Sequence, residues 1–257
     1  MAPPLSAAKF LAALKNEGVT VVEVGDWRDH NRNHVGPWGP VNGVMIHHTV
    51  TSGSALTVRI CRDGYAGLPG PLCHGVITKD GQVHLVGYGR ANHAGSGDDD
   101  VLKAVVAEKA LPAANENNTD GNRHFYGFEC ENLGDGRDPW PDEQVEAIVR
   151  TGAALCRAHG WTVRSVIRHL AWQVGKVDPR GLGWADVEAR ISERLKHKPS
   201  WSPGATRVYR VVAGDTLWGI AAHELGKGGR WQEIADLNPD VDPNELSVGQ
   251  ELKLPAK

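Results

Sequence analysis

Two adjacent imidazoles close the apolar run VNGVMIHHTV, residues 41–50, where Val44, Met45 and Ile46 lead directly into His47 and His48. A third, His169, ends TVRSVIRH, and Lys176 and Asp178 follow within nine residues in GKVDP. Zinc accepts imidazole nitrogen and carboxylate oxygen, and a catalytic zinc keeps one position for water. Two His and one Asp could meet that rule. Other fates are open to the same residues: His47 could be a buried strand-end histidine bonded to a carbonyl, and Asp178 before Pro179 could start a turn. Strand alternation sends His48 to the face opposite His47, so the pair does not share one ion. In FYGFECEN, alternation puts Glu129 and Glu131 on one face and Phe128 and Cys130 on the other. The acidic pair would face a cleft and the apolar pair the core.

The elements that must position these groups are legible in outline. GVMIHHT is apolar enough to be a strand buried on both faces. CHGVITKDGQVHLVGYG reads as two strands joined at Asp80-Gly81, a hairpin signal. WPDEQVEAIVRTGAALCRAHGW is the clearest helix, with Asp142 and Glu143 complementing its dipole. Val145, Ile148, Val149, Gly152, Leu155 and Cys156 form its apolar face, and Gly160 ends it. TVRSVIRH reads as a further strand ending in His169. Residues 90–126 look like long polar loops around a helix at 100–112. Strands interspersed with helices indicate an α/β (α+β) class, a central mixed β-sheet flanked by helices.

The 257-residue chain carries 28 Lys and Arg against 31 Asp and Glu, a net charge of −3, and no basic stripe, which sets nucleic-acid binding aside. No apolar run approaches the roughly 18–20 residues that would span a bilayer. The N-terminus reads as an amphipathic helix bearing Phe10, Leu11 and Leu14, not as a signal peptide. Synthesis in the cytoplasm without a leader is therefore expected, and with it four reduced cysteines, Cys61, Cys73, Cys130 and Cys156. KHKPSWSPGAT, with Pro, Ser and Gly and no periodicity, reads as an interdomain linker. The expected organisation is a large domain at 1–197, a linker at 198–206 and a small domain at 207–257.

MIHHTV, GRANHAG, YGFECEN and RHLAWQVGKVDP, in that order, resemble the signature blocks of zinc-dependent N-acetylmuramoyl-L-alanine amidases, the type related to peptidoglycan-recognition proteins and found in bacteriophage lysins. The resemblance covers about residues 20–196. It implies one Zn2+ held by His47, His169 and Asp178, with Glu129 handling the proton and Lys176 beside the reacting carbonyl. The NHAG block resembles a family block beside the substrate, which makes Asn92 and His93 candidates for the groove wall; His74 is a further candidate, and for both histidines, His74 above all, the alternative is a ring held by backbone bonds. Some relatives place a Tyr just before the histidine of the CHG block; here that position is Cys73, which leaves the proton to Glu129. The activity implied is cleavage of the amide between N-acetylmuramic acid and L-alanine in peptidoglycan, in an endolysin that acts at the cell wall after release, as a monomer with no membrane partner. A non-catalytic recognition protein has no need of Asp178 and Glu129, and the order of blocks sets aside a zinc peptidase cutting within the stem peptide.

Residues 209–255 read as strand, helix, helix, strand. In GDTLWGIA, Asp215 or Thr216 can cap a helix. The segment resembles a LysM module: Y-x-V, G-D-T-L, Asn238 and G-x-x-L-x-L-P match in order. The resemblance implies binding of N-acetylglucosamine-containing glycan between the loop Gly214, Asp215, Thr216, Leu217 and the loop beginning Asn238, Pro239. Across 207–257 six Lys and Arg face eight Asp and Glu, so binding would not rest on positive charge.

Overall fold

The computed structural model describes residues 2–199, 201 and 206–255. It divides into two compact units, Met1–Pro199 and Ser200–Lys257. Of the expected linker at 198–206, residues 200 and 202–205 lie outside the described residues.

The first unit is built on a six-stranded mixed sheet of β1 (Val21–Glu23), β2 (Gly43–His48), β5 (Gly75–Ile77), β6 (Val83–Leu85), β9 (Phe125–Cys130) and β10 (Val166–Arg168), in the order β1-β6-β5-β9-β2-β10. Two-residue ladders pair β3 (Gly64–Tyr65) with β4 (Leu68–Pro69) and β7 (Ser96–Gly97) with β8 (Thr119–Asp120). Within the six-stranded sheet only β5 and β6 run antiparallel; they are the hairpin expected at Asp80-Gly81. Gly81 holds φ +77°, and a Cβ there would lie 2.6 Å from the Glu143 carbonyl. Glycine is therefore required at that turn for both reasons.

The helices are α1 (Ala7–Asn16), α2 (Ser54–Asp63), α3 (Asp99–Val106), α4 (Asp142–His159), α5 (His169–Trp172) and α6 (Trp184–Leu195). The sheet is apolar on both faces, and each face has its own core. On one side Val44, Ile46, Tyr126 and Phe128 meet Phe10 and Leu14 of α1, Ile148 and Leu155 of α4, and Val187 and Ile191 of α6. On the other, Met45, Phe125 and Ile167 meet Val101 and Val105 of α3 and Trp172 of α5. No helix among the described residues is long and apolar enough to cross a membrane.

Two expectations are corrected. The helix expected at 100–112 spans Asp99–Val106, capped by the Asp98 carboxylate accepting from Asp100 N at 2.8 Å. It stops where Glu108 takes φ +53° and sends its carboxylate to the Ser165 hydroxyl at 2.8 Å, and Pro112 could not have continued it. TVRSVIRH is not one strand. Thr162 Oγ1 accepts from Arg164 N at 3.2 Å, a side-chain bond that competes with extended structure, and a 3₁₀ turn occupies Val163–Ser165. Only Val166–Arg168 is extended, and His169 opens α5.

The second unit pairs β11 (Thr206–Arg210) antiparallel with β12 (Glu251–Pro255) and packs α7 (Leu217–Glu224) and α8 (Trp231–Leu237) on them through Leu217, Ile220, Ile234, Leu252 and Leu254. Thr216 is the residue that caps α7, accepting from Gly219 N at 3.0 Å.

A buried ion pair ties α1 to α4 and α6. Glu17 accepts from Arg194 Nε at 3.0 Å and from Arg157 Nε at 3.1 Å, with the Glu17 and Arg194 side chains each 1% exposed. Arg194 also meets Glu146 Oε1 at 3.2 Å, so loss of Glu17 weakens its pairing without stranding the charge. A Glu17→Gln variant should lose roughly 1.5–3 kcal/mol of stability, the worth of hydrogen bonds to a charged group, read from its urea midpoint against the unchanged chain; an unshifted midpoint would show the pair to be inert.

Candidate metal centre and its surroundings

β10, β2 and β9 run parallel as neighbours, so their C-terminal ends lie together at one edge of the sheet. The register sets His47 directly opposite Glu129, and the pair Arg168↔Ile46 puts His169 one step further on, beside His47. Asp178 arrives on the loop after α5. That loop is held at two points: Leu170 N donates to the Asp178 carbonyl at 2.9 Å, and Arg180 N donates to His48 Nδ1 at 3.0 Å. The second imidazole of the pair thus faces away from its neighbour, as alternation requires, and fastens the segment that carries Asp178.

His47, His169 and Asp178 are all buried and meet closely. Nδ1 of His47 lies 2.9 Å from Nδ1 of His169 and 3.2 Å from Oδ2 of Asp178; the last two atoms are 3.0 Å apart. The far nitrogen of His169 lies 3.0 Å from Gln173 Oε1, which holds the ring with Nδ1 turned toward the cluster. Burial, then the neighbouring His169, lowers the His47 pKa to about 4 and leaves the ring neutral. Two imidazole nitrogens and a carboxylate oxygen brought together form a donor set that fits a divalent cation.

Glu129 Oε1 stands 4.0 Å from His47 Nδ1, and Oε2 is buried without a hydrogen-bond partner. Burial, then Cys61 and Asp178, pushes its carboxyl well up, against the pull of Lys176. Glu131 faces elsewhere: it accepts from Gly53 N at 2.8 Å and Ser54 Oγ at 2.7 Å, a carboxylate spent on the α2 N-terminus. A cleft of about 450 Å³ opens over the cluster, with Glu129, Lys176, Asn92 and His93 in its lining.

Of the expected groove wall, Asn92 and His93 line the cleft and His74 does not. His93 lines the cleft but is 8% exposed, with Nδ1 3.1 Å from His47 Nε2 and Nε2 3.1 Å from the Phe125 carbonyl. His74 lies in the core, fully buried: Nε2 donates to the Gly89 carbonyl at 2.8 Å and Nδ1 accepts from Gly127 N at 2.9 Å. Cys73 is buried in an apolar cluster with Cys61, Val76 and Val86, and burial raises its thiol, so it offers no proton at neutral pH. All four cysteines are free. Gln173 was not singled out by its sequence context; its position one helical turn after His169 is the signal that was there to read.

In the second unit the polar atoms expected to meet glycan are used internally. Asp215 Oδ2 accepts from Tyr209 Oη at 2.9 Å and Val212 N at 2.8 Å. Asn238 bonds to Lys253 through both its amide atoms, at 2.7 and 2.9 Å. Leu217 is buried, whereas Gly214 and Pro239 are exposed.

A mononuclear donor set with an acid beside it, at the edge of a mixed sheet, is the class of site that metal-dependent hydrolases use. Residues 37–181, more than half of the chain, match the N-acetylmuramoyl-L-alanine amidase family, and the chain belongs to it. Residues 209–255 match the LysM domain. The N-acetylmuramoyl-L-alanine amidase XlyB of Bacillus subtilis (strain 168) is 30% identical over 174 residues, covering 63% of this chain and 53% of that protein. The chain thus spans about half the length of this curated relative. Among solved structures, the N-acetylmuramoyl-L-alanine amidase LysC from Clostridium intestinale URNW is 19% identical with a TM-score of 0.46, over 67% of this chain and 97% of that one. AmpDh3 from Pseudomonas aeruginosa, in complex with anhydromuramic pentapeptide, is 18% identical with a TM-score of 0.44, over 71% and 69%.

Burial, opposed by its two backbone bonds, lowers the His74 pKa to about 4, against about 6.5 in a free chain. Between those values the unfolded chain binds the extra proton. Stability is therefore full above about pH 6.5 and falls as the pH drops towards 4, by up to about 1.4 kcal/mol per pH unit for this group. In His74→Gln the difference in unfolding free energy between pH 7 and pH 5 should shrink; an unchanged difference would remove His74 from the acid sensitivity.

Proposed function

We propose that the first unit hydrolyses the amide bond between N-acetylmuramic acid and the L-alanine of the peptidoglycan stem peptide, using one zinc ion, and that the LysM unit holds the glycan. The observation that carries this reading is the meeting of His47, His169 and Asp178 beside Glu129, in a chain of this amidase family.

A zinc ion held by these three residues supplies a water ionisable near pH 7 and positive charge for the carbonyl oxygen. The rest falls to the chain. Glu129, its carboxyl raised by burial, takes a proton from the water that attacks the lactyl carbonyl carbon. It returns that proton to the L-alanine nitrogen as the C–N bond breaks. Lys176, in the cleft lining, places its ammonium against the charge developing on the carbonyl oxygen. Cys73 has no part in this. Release from the host cytoplasm to the wall, as an endolysin, is the cellular setting proposed. Tethering a weak glycan binder to the catalytic unit raises the local substrate concentration.

Digestion of purified sacculi should release new amino termini on L-alanine, and a chelator should abolish the release. New termini on other stem residues would make the protein a peptidase, and none at all would favour recognition without catalysis. Glu129→Gln should bind zinc as the unchanged chain does and lose at least about 10²-fold in turnover; full activity there would remove Glu129 from the mechanism. The full chain should be retained on insoluble chitin and be eluted by N-acetylglucosamine oligomers. Passage without retention would withdraw the glycan assignment.

A further inference from the structure

We propose that Val50 contacts the substrate, held in a strained conformation so that its side chain meets a methyl group beside the scissile amide, on the lactyl ether or on L-alanine. The inference deepens the amidase reading above and rests on it.

Val50 has φ +53°, in the left-handed region. For a β-branched residue that is an outlier, because Cβ crowds the following carbonyl oxygen. Elsewhere among the described residues a positive φ falls to glycine, save at Glu108. Glu108 is compensated within the fold: its carboxylate accepts from Ser165 Oγ at 2.8 Å and from Thr162 N at 3.2 Å. Val50 has no such compensation. Its side chain is 66% exposed and belongs to none of the apolar cores.

The backbone around it is fixed from both sides. Thr49 N donates to the Cys130 carbonyl at 3.1 Å, and Thr49 Oγ1 accepts from the Thr51 hydroxyl at 2.7 Å. Thr51 Oγ1 lies 2.7 Å from Thr57 Oγ1 in α2, and Gly53 N is tied to Glu131 at 2.8 Å. The turn from β2 to α2 thus imposes a left-handed residue at position 50. Glycine or asparagine would meet that demand without the clash. What valine adds is an apolar side chain, and that side chain lines the cleft over His47, His169 and Asp178. Strain held at a cleft with no gain to the fold points to use by the ligand.

Val50 does not stand alone in that lining. Leu68, Leu72 and Val177 share it, Val177 being 53% exposed, while Glu129 and Lys176 supply the polar part. The proposed substrate has the matching chemistry. Its reacting carbonyl bears the lactyl carbon and its methyl on one side, and the amide nitrogen bears the L-alanyl carbon and its methyl on the other.

Val50→Asn tests this in the full chain, because asparagine tolerates the left-handed conformation and removes the methyl groups. Its urea midpoint should rise. Its zinc affinity, measured by competition with a chromophoric chelator, should match that of the unchanged chain. On a muramoyl-L-alanyl peptide its kcat/KM should fall about 10-fold, the scale of a methyl contact. Two analogues identify the methyl, one with glycine for L-alanine and one with a carboxymethyl ether for the lactyl ether. The unchanged chain should disfavour one of them by about 10-fold, and Val50→Asn should lose that preference. A raised midpoint with kcat/KM unchanged would show strain without function and overturn the proposal. A lowered midpoint or weakened zinc binding would make Val50 a support of the fold, and an equal loss on the parent and both analogues would place its contact away from the methyl groups; either overturns it. A chain that cleaved no muropeptide would end the proposed function and this inference together, whereas an active chain indifferent to Val50→Asn would end this inference alone.

Discussion

Three electron-pair donors held about 3 Å apart are the constraint around which this protein is arranged. Two imidazole nitrogens and a carboxylate oxygen do not gather in a dry place of their own accord, because burying polar groups costs free energy. The scaffold has to hold them there. It does so with three parallel strands, β9, β2 and β10, whose ends share one edge of the sheet. His47 and Glu129 are fixed by register and His169 by the turn into α5. Ligand sites at the carboxyl edge of parallel strands are a general outcome of such sheets.

Burial is the second half of that arrangement. The centre sits on the face covered by α3 and α5, while α1, α4 and α6 cover the other, so the strands bearing the ligands are clamped from both sides. Histidine does several distinct jobs within this small volume. His47 and His169 turn Nδ1 toward the cluster, His48 ties down the Asp178 loop, and His74 bridges two backbone segments in the core. The richness in histidine follows from the need for neutral groups that donate at one end and accept at the other. No other side chain offers both on a rigid ring.

The LysM unit shows the same economy at smaller scale. Asp215, Thr216 and Asn238 give their polar atoms to the turn, the α7 cap and the tie to β12. A motif can thus mark a module reliably because its residues build the fold. In the proposed glycan contact, the exposed Gly214 and Pro239 are better placed than the side chains that hold the loops together.

Periodicity and turn chemistry made much of this legible from the residues alone. The apolar strand ending in His47, the hairpin at Asp80-Gly81, the α4 face and its Gly160 stop, and the alternation separating Glu129 from Phe128 are all local properties, decided by dihedral preference and burial within a few residues. The types of the ligand residues were equally readable. Their meeting was not, because His47 and His169 are 122 positions apart and only the strand order β9-β2-β10 makes them neighbours. Residues 90–126 resisted reading because their bonds run to distant partners, as Glu108 to Ser165 and Asn122 to His93. His74 and His93 illustrate the limit: their sequence contexts say histidine near a cleft, while the bonds that set their roles reach the carbonyls of Gly89 and Phe125 and the ring of His47. Sequence by itself determined which groups could bind a cation and which segments would be strands or helices. Tertiary structure alone decided which nitrogen each imidazole turns to the cluster, because the ring is oriented by whatever partner the fold places on its far side.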